Sequence, residues 1–345
     1  MLKGRRQAAI QGFFGALDSC KLLDYVQPWL SGMGLILMFH RVVEPGAQVF
    51  DPTLAVDTES LDRILRYIRA RGWDLITVDE LSERLINGSK TRPFVCCTFD
   101  DGYADNKTLA LPIFRRYSAP FCVNVTVGYV NRTAPAWWDA LGVMLQTQDE
   151  IKFYDFGKIQ RLKVATWDEK LAAYRQFRVI FHREVDQGRI PFEESWELNG
   201  INLAASTDGL FMSWPELEEL AKDPLVRIGS HTLTHPCLPH LSENEAGDEI
   251  ERSKQILEER LGVQVAHLAY PFGKCGQREF RLVKELRFKT AVTSKWCNVF
   301  PAHRSHQSSL PRKFLLYNDA SEATMRACLY GEDLPIKPWE RVALD

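Results

Sequence analysis

Residues 93–102 read Pro-Phe-Val-Cys-Cys-Thr-Phe-Asp-Asp-Gly, an apolar run that ends in two carboxylates and a glycine. The run Phe94–Phe99 is typical of a strand buried on both faces in a parallel sheet. Adjacent residues on a regular strand point to opposite faces. Asp100 and Asp101 therefore serve one site only if the strand ends there, and Gly102 permits that turn. The alternative is an ordinary Asp-Gly turn without a function.

The same kind of apolar run recurs on both sides of this segment, separated by amphipathic helical stretches. Further buried strands are predicted at residues 34–39, 73–78, 121–127, 226–229, 266–270 and 290–293. Repeated strand–helix units predict an α/β fold in which helices cover a parallel sheet. Six or seven such units favour a barrel over an open sheet. The active site of such a barrel lies at the C-terminal ends of its strands.

Residues 131–213 break this rhythm, because they are rich in tryptophan, charged residues and helix formers. We interpret them as a mainly helical insertion between two barrel strands. Its aromatic residues, such as Trp137 and Trp138, either stack on sugar rings or form the small core of the insertion. The expected organisation is an N-terminal extension at 1–33, a barrel at 34–320 that contains the insertion, and a C-terminal tail at 321–345.

The composition excludes several classes of protein. The chain has 345 residues, of which 45% are hydrophobic and 26% charged, as in ordinary globular proteins. A formal charge of -2 and the lack of a dense Lys/Arg run argue against nucleic-acid binding. The eight cysteines include no C-x-x-C pair, so neither a cysteine-rich zinc knuckle nor a disulfide framework is expected.

The N-terminal extension carries Ile10, Phe13, Phe14 and Leu17 at the spacing of a short amphipathic helix. The apolar stretch at 12–17 is shorter than a secretory signal requires, and no run approaches the ~20 apolar residues of a membrane span. We therefore expect a cytoplasmic protein. The helix either packs on its own domain or lies on the inner membrane face, near a lipid-linked substrate.

A second polar segment, Ser230-His-Thr-Leu-Thr-His-Pro236, directly follows a predicted strand. Two histidines four positions apart meet on one face of a helical turn, a spacing that metal ligands often use. Two imidazoles and one carboxylate leave positions open for water and substrate, as in a catalytic zinc site. The alternative is two unrelated loop histidines at His231 and His235.

A third segment, Tyr270-Pro-Phe-Gly273, also follows a strand. Backbone N–H groups in such a tight turn can donate to a developing oxyanion, although Pro and Gly mark turns of any kind.

Together, Thr98-Phe-Asp-Asp-Gly102, His231-Thr-Leu-Thr-His235 and Tyr270-Pro-Phe-Gly273 resemble the polysaccharide deacetylase family. This is the NodB-homology domain of carbohydrate esterase family 4. The opening Leu37-Met-Phe-His-Arg41 resembles a subgroup found among bacterial exopolysaccharide and lipopolysaccharide deacetylases. The resemblance covers roughly residues 34 to 315. It implies a distorted (β/α)7-type barrel that hydrolyses an N-acetyl group from an amino sugar, although some members remove O-acetyl or N-formyl groups.

By this resemblance, Asp100 is the general base, and Asp101, His231 and His235 hold a divalent metal. The expected ion is Zn²⁺, with Co²⁺, Ni²⁺ or Mn²⁺ as alternatives. The metal polarises the acetyl carbonyl and lowers the pKa of its bound water. The oxyanion and substrate then contact the third segment, through the N–H of Phe272 and through Tyr270. Arg312 is the third residue expected to contact them.

Two departures from the family pattern affect these roles. An arginine often precedes the proline of the third motif by two residues, but Ala269 stands there in this chain. Arg312 either replaces that positive charge or is a solvated arginine at a strand edge. The late histidine motif of the family is also unclear. We therefore assign the general acid to His40, which ends the first strand; the alternative is a histidine that only shapes the rim.

The expected substrate is an acetylated amino sugar in a polysaccharide, an oligosaccharide or a lipid-linked glycan. Two alternatives remain open on the sequence. One is a deacylase of another acylated sugar or small amide, and the other is a catalytically silent sugar-binding member. Intact Asp100, Asp101, His231 and His235 argue against the silent form, because binding alone does not need a base beside a metal triad.

Overall fold

The computed structural model describes residues 20, 31–88, 92–155, 158–185, 193–203, 205–315 and 320–330. The amphipathic helix expected at Ile10 to Leu17 lies outside these residues. Among the described helices, none has the length and apolar character needed to cross a membrane.

The described part of the chain contains eleven strands. They are β1 (Gly34–Phe39), β2 (Arg41–Val43), β3 (Ala55–Asp57), β4 (Asp74–Ile76), β5 (Phe94–Phe99), β6 (Phe121–Val125), β7 (Glu150–Asp155), β8 (Lys158–Lys163), β9 (Val226–Ser230), β10 (His267–Ala269) and β11 (Thr290–Val292). The seven strands β1, β4, β5, β6, β9, β10 and β11 form one curled sheet in which every pair is parallel.

The helices lie between these strands in the order that the sequence predicts. They are α1 (Thr58–Ala70), α2 (Val78–Asn87), α3 (Leu111–Arg116), α4 (Val127–Val130), α5 (Trp137–Thr147), α6 (Trp167–Val185), α7 (Glu193–Leu198), α8 (Trp214–Ala221), α9 (Glu243–Leu261), α10 (Gln277–Glu285) and α11 (Glu322–Tyr330). A π-helical turn at Asn106–Ala110 precedes α3. This mixed α/β architecture confirms the distorted barrel.

The sheet is buried on both faces, as its continuous apolar strands predict. On β1, the side chains of Leu35 and Leu37 belong to the core cluster that contains residues of the surrounding helices. Ile36, between them, belongs to a separate cluster with Cys96 and Cys122 of the neighbouring strands. The alternation of these side chains follows the two-residue period of a strand.

Residues 310–313 bridge the two ends of the sheet. Leu310 pairs with Val292 of β11, and Lys313 pairs with Leu37 of β1, both in parallel. The backbone N–H of Met38 donates to the carbonyl of Lys313 at 2.7 Å, which fixes this contact. The chain therefore places Arg312, the residue before Lys313, between the first and last strands of the barrel.

Within residues 131–213, the described part of the chain contains the helices α5, α6 and α7. It also contains an antiparallel hairpin, β7–β8, that the sequence analysis did not predict. Its buried aromatics form a hydrophobic cluster that includes Trp137, Trp138 and Trp196, so they do build the core of the insertion. In the region expected to be a tail, α11 packs Met325 and Leu329 into the main core.

Candidate active site

A cavity of about 190 Å³, here called the active-site cavity, lies at the C-terminal ends of the barrel strands. All eight residues proposed from the sequence line it. These are His40, Asp100, Asp101, His231, His235, Tyr270, Phe272 and Arg312. The carboxyl ends of parallel strands share one edge of a sheet, and for this reason residues more than 200 positions apart along the chain meet there.

Asp101, His231 and His235 form a cluster that could hold a metal ion. One ligand atom from each residue lies within 4.8 Å of the other two. The carboxylate oxygen Oδ1 of Asp101 is 3.7 Å from Nε2 of His231 and 3.6 Å from Nε2 of His235. This oxygen is buried and has no hydrogen-bond partner. A buried carboxylate oxygen without a partner is costly, and a divalent cation would satisfy it.

The tautomer of His231 also suits a metal ligand. Its Nδ1 lies 2.7 Å from the carbonyl oxygen of Ala269. Because a carbonyl only accepts, Nδ1 carries the proton, and Nε2 presents a lone pair towards Asp101. Burial lowers the pKa of both His231 and His235, which keeps both rings neutral, as metal coordination requires. Burial, with help from Asp100, raises the pKa of Asp101.

The two histidines do not meet on a helical turn, and that part of the sequence interpretation is wrong. Residues 231–236 form an irregular loop in which Thr232 and His235 adopt left-handed φ values of 67° and 62°. Glu249 of α9 holds this loop, because its carboxylate accepts from the backbone N–H groups of Leu233 and Thr234. The ring centroids of His231 and His235 are 4.8 Å apart.

The first motif, Thr98–Gly102, also contains residues with left-handed φ values. Asp101 has a φ of 74°, and Gly102 a φ of 85°, so the chain turns as soon as β5 ends. This turn places Asp100 and Asp101 in the same cavity, as expected from the sequence. Among the described residues, seven non-glycine residues have positive φ, and four of them, Asp101, Thr232, His235 and Phe272, lie in the three motif loops. Such strain persists only where the surrounding structure imposes it.

Asp100 is buried and held by two side chains. Arg312 donates from Nη1 to Oδ1 at 2.8 Å and from Nη2 to Oδ2 at 2.7 Å, a bidentate pair. Asn124 of β6 also donates to Oδ1, at 2.8 Å. Burial alone would raise the pKa of Asp100, but the charge of Arg312 outweighs it and the pKa falls below its usual range. Asp100 is therefore ionised at neutral pH.

Arg312 is only 1% exposed, so the interpretation as a solvated arginine is wrong. Its Nε donates to the carbonyl of Thr293 and its Nη1 also reaches Thr98 Oγ1 at 3.1 Å. The bridging segment at 310–313 thus brings to Asp100 a buried positive charge, which Ala269 cannot supply. Both of its terminal nitrogens bind Asp100, and the residue also lines the active-site cavity.

Replacing Arg312 with Met should lower the free energy of unfolding by roughly 3–5 kcal/mol, because Asp100 would remain buried without its partner. Chemical denaturation at pH 7 measures this loss. The double variant Arg312→Met/Asp100→Asn, in which neither charge remains, should recover most of it. Equal losses in the single and double variants would show that the pair is not coupled.

The same pair predicts a pH dependence. The folded-state pKa of Asp100 is depressed, so its contribution to stability is present above the unfolded pKa of ~3.9 and is lost as the pH falls through the folded pKa. The free energy of unfolding of Arg312→Met should therefore vary less with pH in the acid range than that of the wild type.

The third motif forms a single 3-10 turn at Pro271–Gly273. Tyr270 is fully buried and lines the active-site cavity, and its hydroxyl donates to the carbonyl of Ser308 at 2.8 Å. Phe272 adopts a left-handed φ of 57°, and its ring centroid lies 4.6 Å from that of His235. The ring therefore packs against one of the metal-ligand candidates.

His40 follows β1 directly and lines the active-site cavity. Asn106 holds its backbone by donating to its carbonyl at 2.8 Å, and ring nitrogen Nδ1 is buried without a hydrogen-bond partner. Burial lowers the pKa of His40 to about 4, although Asp100 acts in the opposite direction. The ring is therefore neutral at pH 7 and has a nitrogen available to a ligand.

Several residues at the site were not found from the sequence. Asn124 donates a hydrogen bond to Asp100. A polar residue inside an otherwise apolar buried strand such as β6 is the sequence signal that could have identified it. Asp51 and Arg178 also line the cavity and form an ion pair of 3.0 Å. Nothing in the local sequence marks this pair, because one partner lies in the loop between β2 and β3 and the other in the insertion.

Comparison with known proteins gives a family and a fold. The family model described as polysaccharide deacetylase matches residues 87–291, more than half of the chain. No curated protein matches. Among solved structures, a deacetylase of Streptococcus pyogenes, PplD in complex with acetate, is 18% identical, with a TM-score of 0.54 over 83% of this chain and 93% of that one.

Two further structures have the same fold. IcaB from Ammonifex degensii is 17% identical, with a TM-score of 0.55 over 86% of this chain and 98% of the other. A de-N-acetylase from Aggregatibacter actinomycetemcomitans is 14% identical, with a TM-score of 0.55 over 86% and 99%. At these identities the likeness establishes the fold alone. The family match, together with this fold, shows that the chain belongs to the polysaccharide deacetylase family and is a carbohydrate deacetylase.

Proposed function

We propose that the protein is a metal-dependent hydrolase that removes the N-acetyl group from an amino sugar of a glycan. The observation that carries this proposal is the proximity of two buried groups. One is the Asp101, His231 and His235 cluster, and the other is Asp100, which Arg312 keeps ionised in the same cavity.

The three clustered residues fit a divalent metal. Their donor set of two neutral imidazoles and one carboxylate is that of a catalytic zinc site with an open position, although Co²⁺, Ni²⁺ and Mn²⁺ accept the same ligands. An ion held there would polarise the acetyl carbonyl and lower the pKa of a water molecule. A more acidic water molecule is easier for Asp100 to deprotonate, because the pKa of Asp100 is itself low.

Asp100 would act as the general base. Its bonds to Arg312 and Asn124 fix the orientation of the carboxylate, so accepting a proton from the attacking water needs little reorganisation. The N–H of Phe272 would donate to the negative charge that develops on the acetyl carbonyl oxygen when water adds to the carbon.

His40 would act as the general acid for the leaving amine. A ring with a pKa of about 4 is neutral before the reaction. The negative charge that develops on the substrate would favour the imidazolium. His40 would therefore take up a proton from solvent and pass it to the amine nitrogen as the C–N bond breaks, and Asp100 would return to solvent the proton that it took from the attacking water.

Replacing His40 with Ala should reduce kcat/KM on an unactivated acetamide by ~10²–10⁴-fold, the usual contribution of a positioned acid or base. It should cost much less on 4-nitrophenyl acetate, because that leaving group needs no proton. Metal content and the free energy of unfolding, measured on the same variant, control for structural damage. Equal losses on the two substrates would leave His40 as a residue that positions substrate.

The activity itself is tested by acetate release from N-acetylated oligosaccharides, together with metal analysis of the purified protein. O-acetylated and N-formylated sugars in the same panel distinguish the alternative deacylases. Binding of these sugars without release of any acyl group would identify a silent sugar-binding protein instead.

A further inference from the structure

The insertion contacts the loop that carries Asp101 through one buried residue, Tyr103. This tyrosine directly follows the turn at Asp101 and Gly102 and is fully buried. Its hydroxyl donates to Oδ2 of Asp139 at 2.7 Å and accepts from Nε1 of Trp138 at 2.9 Å. Trp138 and Asp139 are neighbours on α5 of the insertion. The insertion therefore fixes the position of the Tyr103 hydroxyl.

The same hydroxyl acts on the side chain of Asp101. Burial raises the pKa of Asp101 most, and a hydrogen bond with Tyr103 acts in the opposite direction by favouring the charged carboxylate. Oδ1 of Asp101, which faces His231 and His235, has no hydrogen-bond partner among the described residues. The hydrogen bond therefore involves the other oxygen. Outer hydrogen bonds of this kind orient a carboxylate that binds a metal.

Backbone pairing also holds Tyr103 in place. A short antiparallel bridge joins it to Phe211, and the N–H of Met212 donates to the carbonyl of Gly102 at 3.0 Å. The rings of Tyr103 and Phe211 stack with centroids 4.7 Å apart. Because Phe211 lies near the end of the insertion and α5 near its start, both parts of the insertion contact the loop that carries Asp101.

The charges around Tyr103 do not balance. Arg41 lies over its ring, with the guanidinium carbon 5.3 Å from the ring centroid. This one cation faces two carboxylates, because its Nε lies 3.1 Å from Asp105 and its charge also acts on Asp139. Asp101 forms no ion pair with a lysine or arginine of the described chain, and the charge of Asp139 acts on it. The two carboxylates left over carry the charge that one divalent cation neutralises.

We propose that Tyr103 and Asp139 are positioning residues of the metal site, so that the insertion supplies part of this site. Tyr103 orients the carboxylate of Asp101, and Asp139 adds a negative charge that attracts the ion. Neither residue lines the active-site cavity, so neither contacts the substrate there. The inference rests on the proposed function only in placing a divalent ion at Asp101, His231 and His235.

Tyr103→Phe and Tyr129→Phe form a matched pair of variants. Both tyrosines are fully buried and stack on Phe211, with ring centroids 4.7 Å and 4.6 Å away. The hydroxyl of Tyr129, however, has no hydrogen-bond partner among the described residues. Each substitution removes one hydroxyl and retains the ring, so only Tyr103→Phe should affect Asp101.

The affinity of the metal-free protein for Zn²⁺ is measured by competition with a chromophoric chelator, which requires no turnover. A pH of about 8 keeps Asp139 ionised, because burial raises its pKa to about 6. Tyr103→Phe should weaken Zn²⁺ binding ~10–100-fold, the usual effect of losing an outer hydrogen-bond partner, and Tyr129→Phe should not. Asp139→Asn, which removes the charge and keeps the shape, should weaken binding on the same scale.

The stability of the metal-free protein separates this role from a structural one. Without an ion, Asp101 and Asp139 are like charges that repel each other, so Asp139→Asn should not lower the free energy of unfolding of the metal-free protein. A residue that only holds the fold would lower it. Such a loss of stability in metal-free Asp139→Asn would refute the proposed charge role.

The wild type distinguishes failure of this inference from failure of the proposed function. If the wild type binds Zn²⁺ and both Tyr103→Phe and Asp139→Asn bind it equally well, the metal site stands and the role of the insertion is refuted. An equal loss of affinity in Tyr103→Phe and Tyr129→Phe would refute it too. If the wild type binds no Zn²⁺, the proposed metal dependence fails together with this inference. Should Asp139→Asn not fold, the two tyrosine variants decide the result.

Discussion

Replacing His231, His235 or Asp101 with Ala should remove the bound divalent ion, and with it nearly all activity, because three protein ligands are the minimum for a catalytic zinc site. The loss in metal affinity should exceed the ~10–100-fold that removal of an outer hydrogen-bond partner costs. Metal analysis after dialysis, and titration of the metal into the stripped protein, measure it without relying on turnover.

The stability of the protein provides a second measurement. An ion at 100 times its Kd should raise the free energy of unfolding of the wild type by ~2.7 kcal/mol, and this gain should vanish in the three variants. His240→Ala is the matched control, because His240 is exposed and lies only five residues from His235. Full metal occupancy in all three ligand variants would refute the assignment.

Replacing Asp100 with Asn should leave the metal bound and lower kcat by ~10²-fold or more, the usual scale for loss of a positioned base. An amide has nearly the shape of the carboxylate but cannot accept the proton. The substitution also leaves Arg312 buried without its counter-charge, so we expect a loss of stability as well. Activity must therefore be measured well below the unfolding temperature of the variant.

Two comparisons isolate the chemical role of Asp100. Asp100→Asn/Arg312→Met should recover stability but not kcat, since the base remains absent. Asp223→Asn, which removes a buried carboxylate paired with Arg115 before β9 begins, should leave kcat unchanged. If the loss of activity in Asp100→Asn follows the loss of metal, Asp100 is a ligand.

The sequence alone was sufficient to predict the barrel and the rim where the candidate residues come together. The apolar runs of β1, β5 and β6 are long enough to mark strands buried on both faces, and the polar residues that follow β5 and β9 mark their C-terminal ends. Since parallel strands place those ends on one edge, Asp100, Asp101, His231 and His235 had to come together.

The sequence was less informative about local conformation. The spacing of His231 and His235 suggested a helical turn, but Glu249 instead holds their segment as a loop with left-handed residues. The hairpin β7–β8 was missed because β8 is mostly exposed and half of its residues are charged, so it lacks the apolar run that marks the buried strands. Contacts with Asn199, which bonds both the N–H and the carbonyl of Lys152, help to stabilise the hairpin.

The sequence by itself determined which residues are the candidates for the chemistry, because each motif is local and a strand end fixes where it lies. Only the tertiary structure decided which residues support that chemistry. Arg312 is 212 positions from Asp100 along the chain, and it reaches the carboxylate because residues 310–313 lie between β1 and β11. Closure of the barrel depends on contacts between residues that are far apart in the chain. A local sequence pattern therefore does not show which side chain the closure will bury beside Asp100.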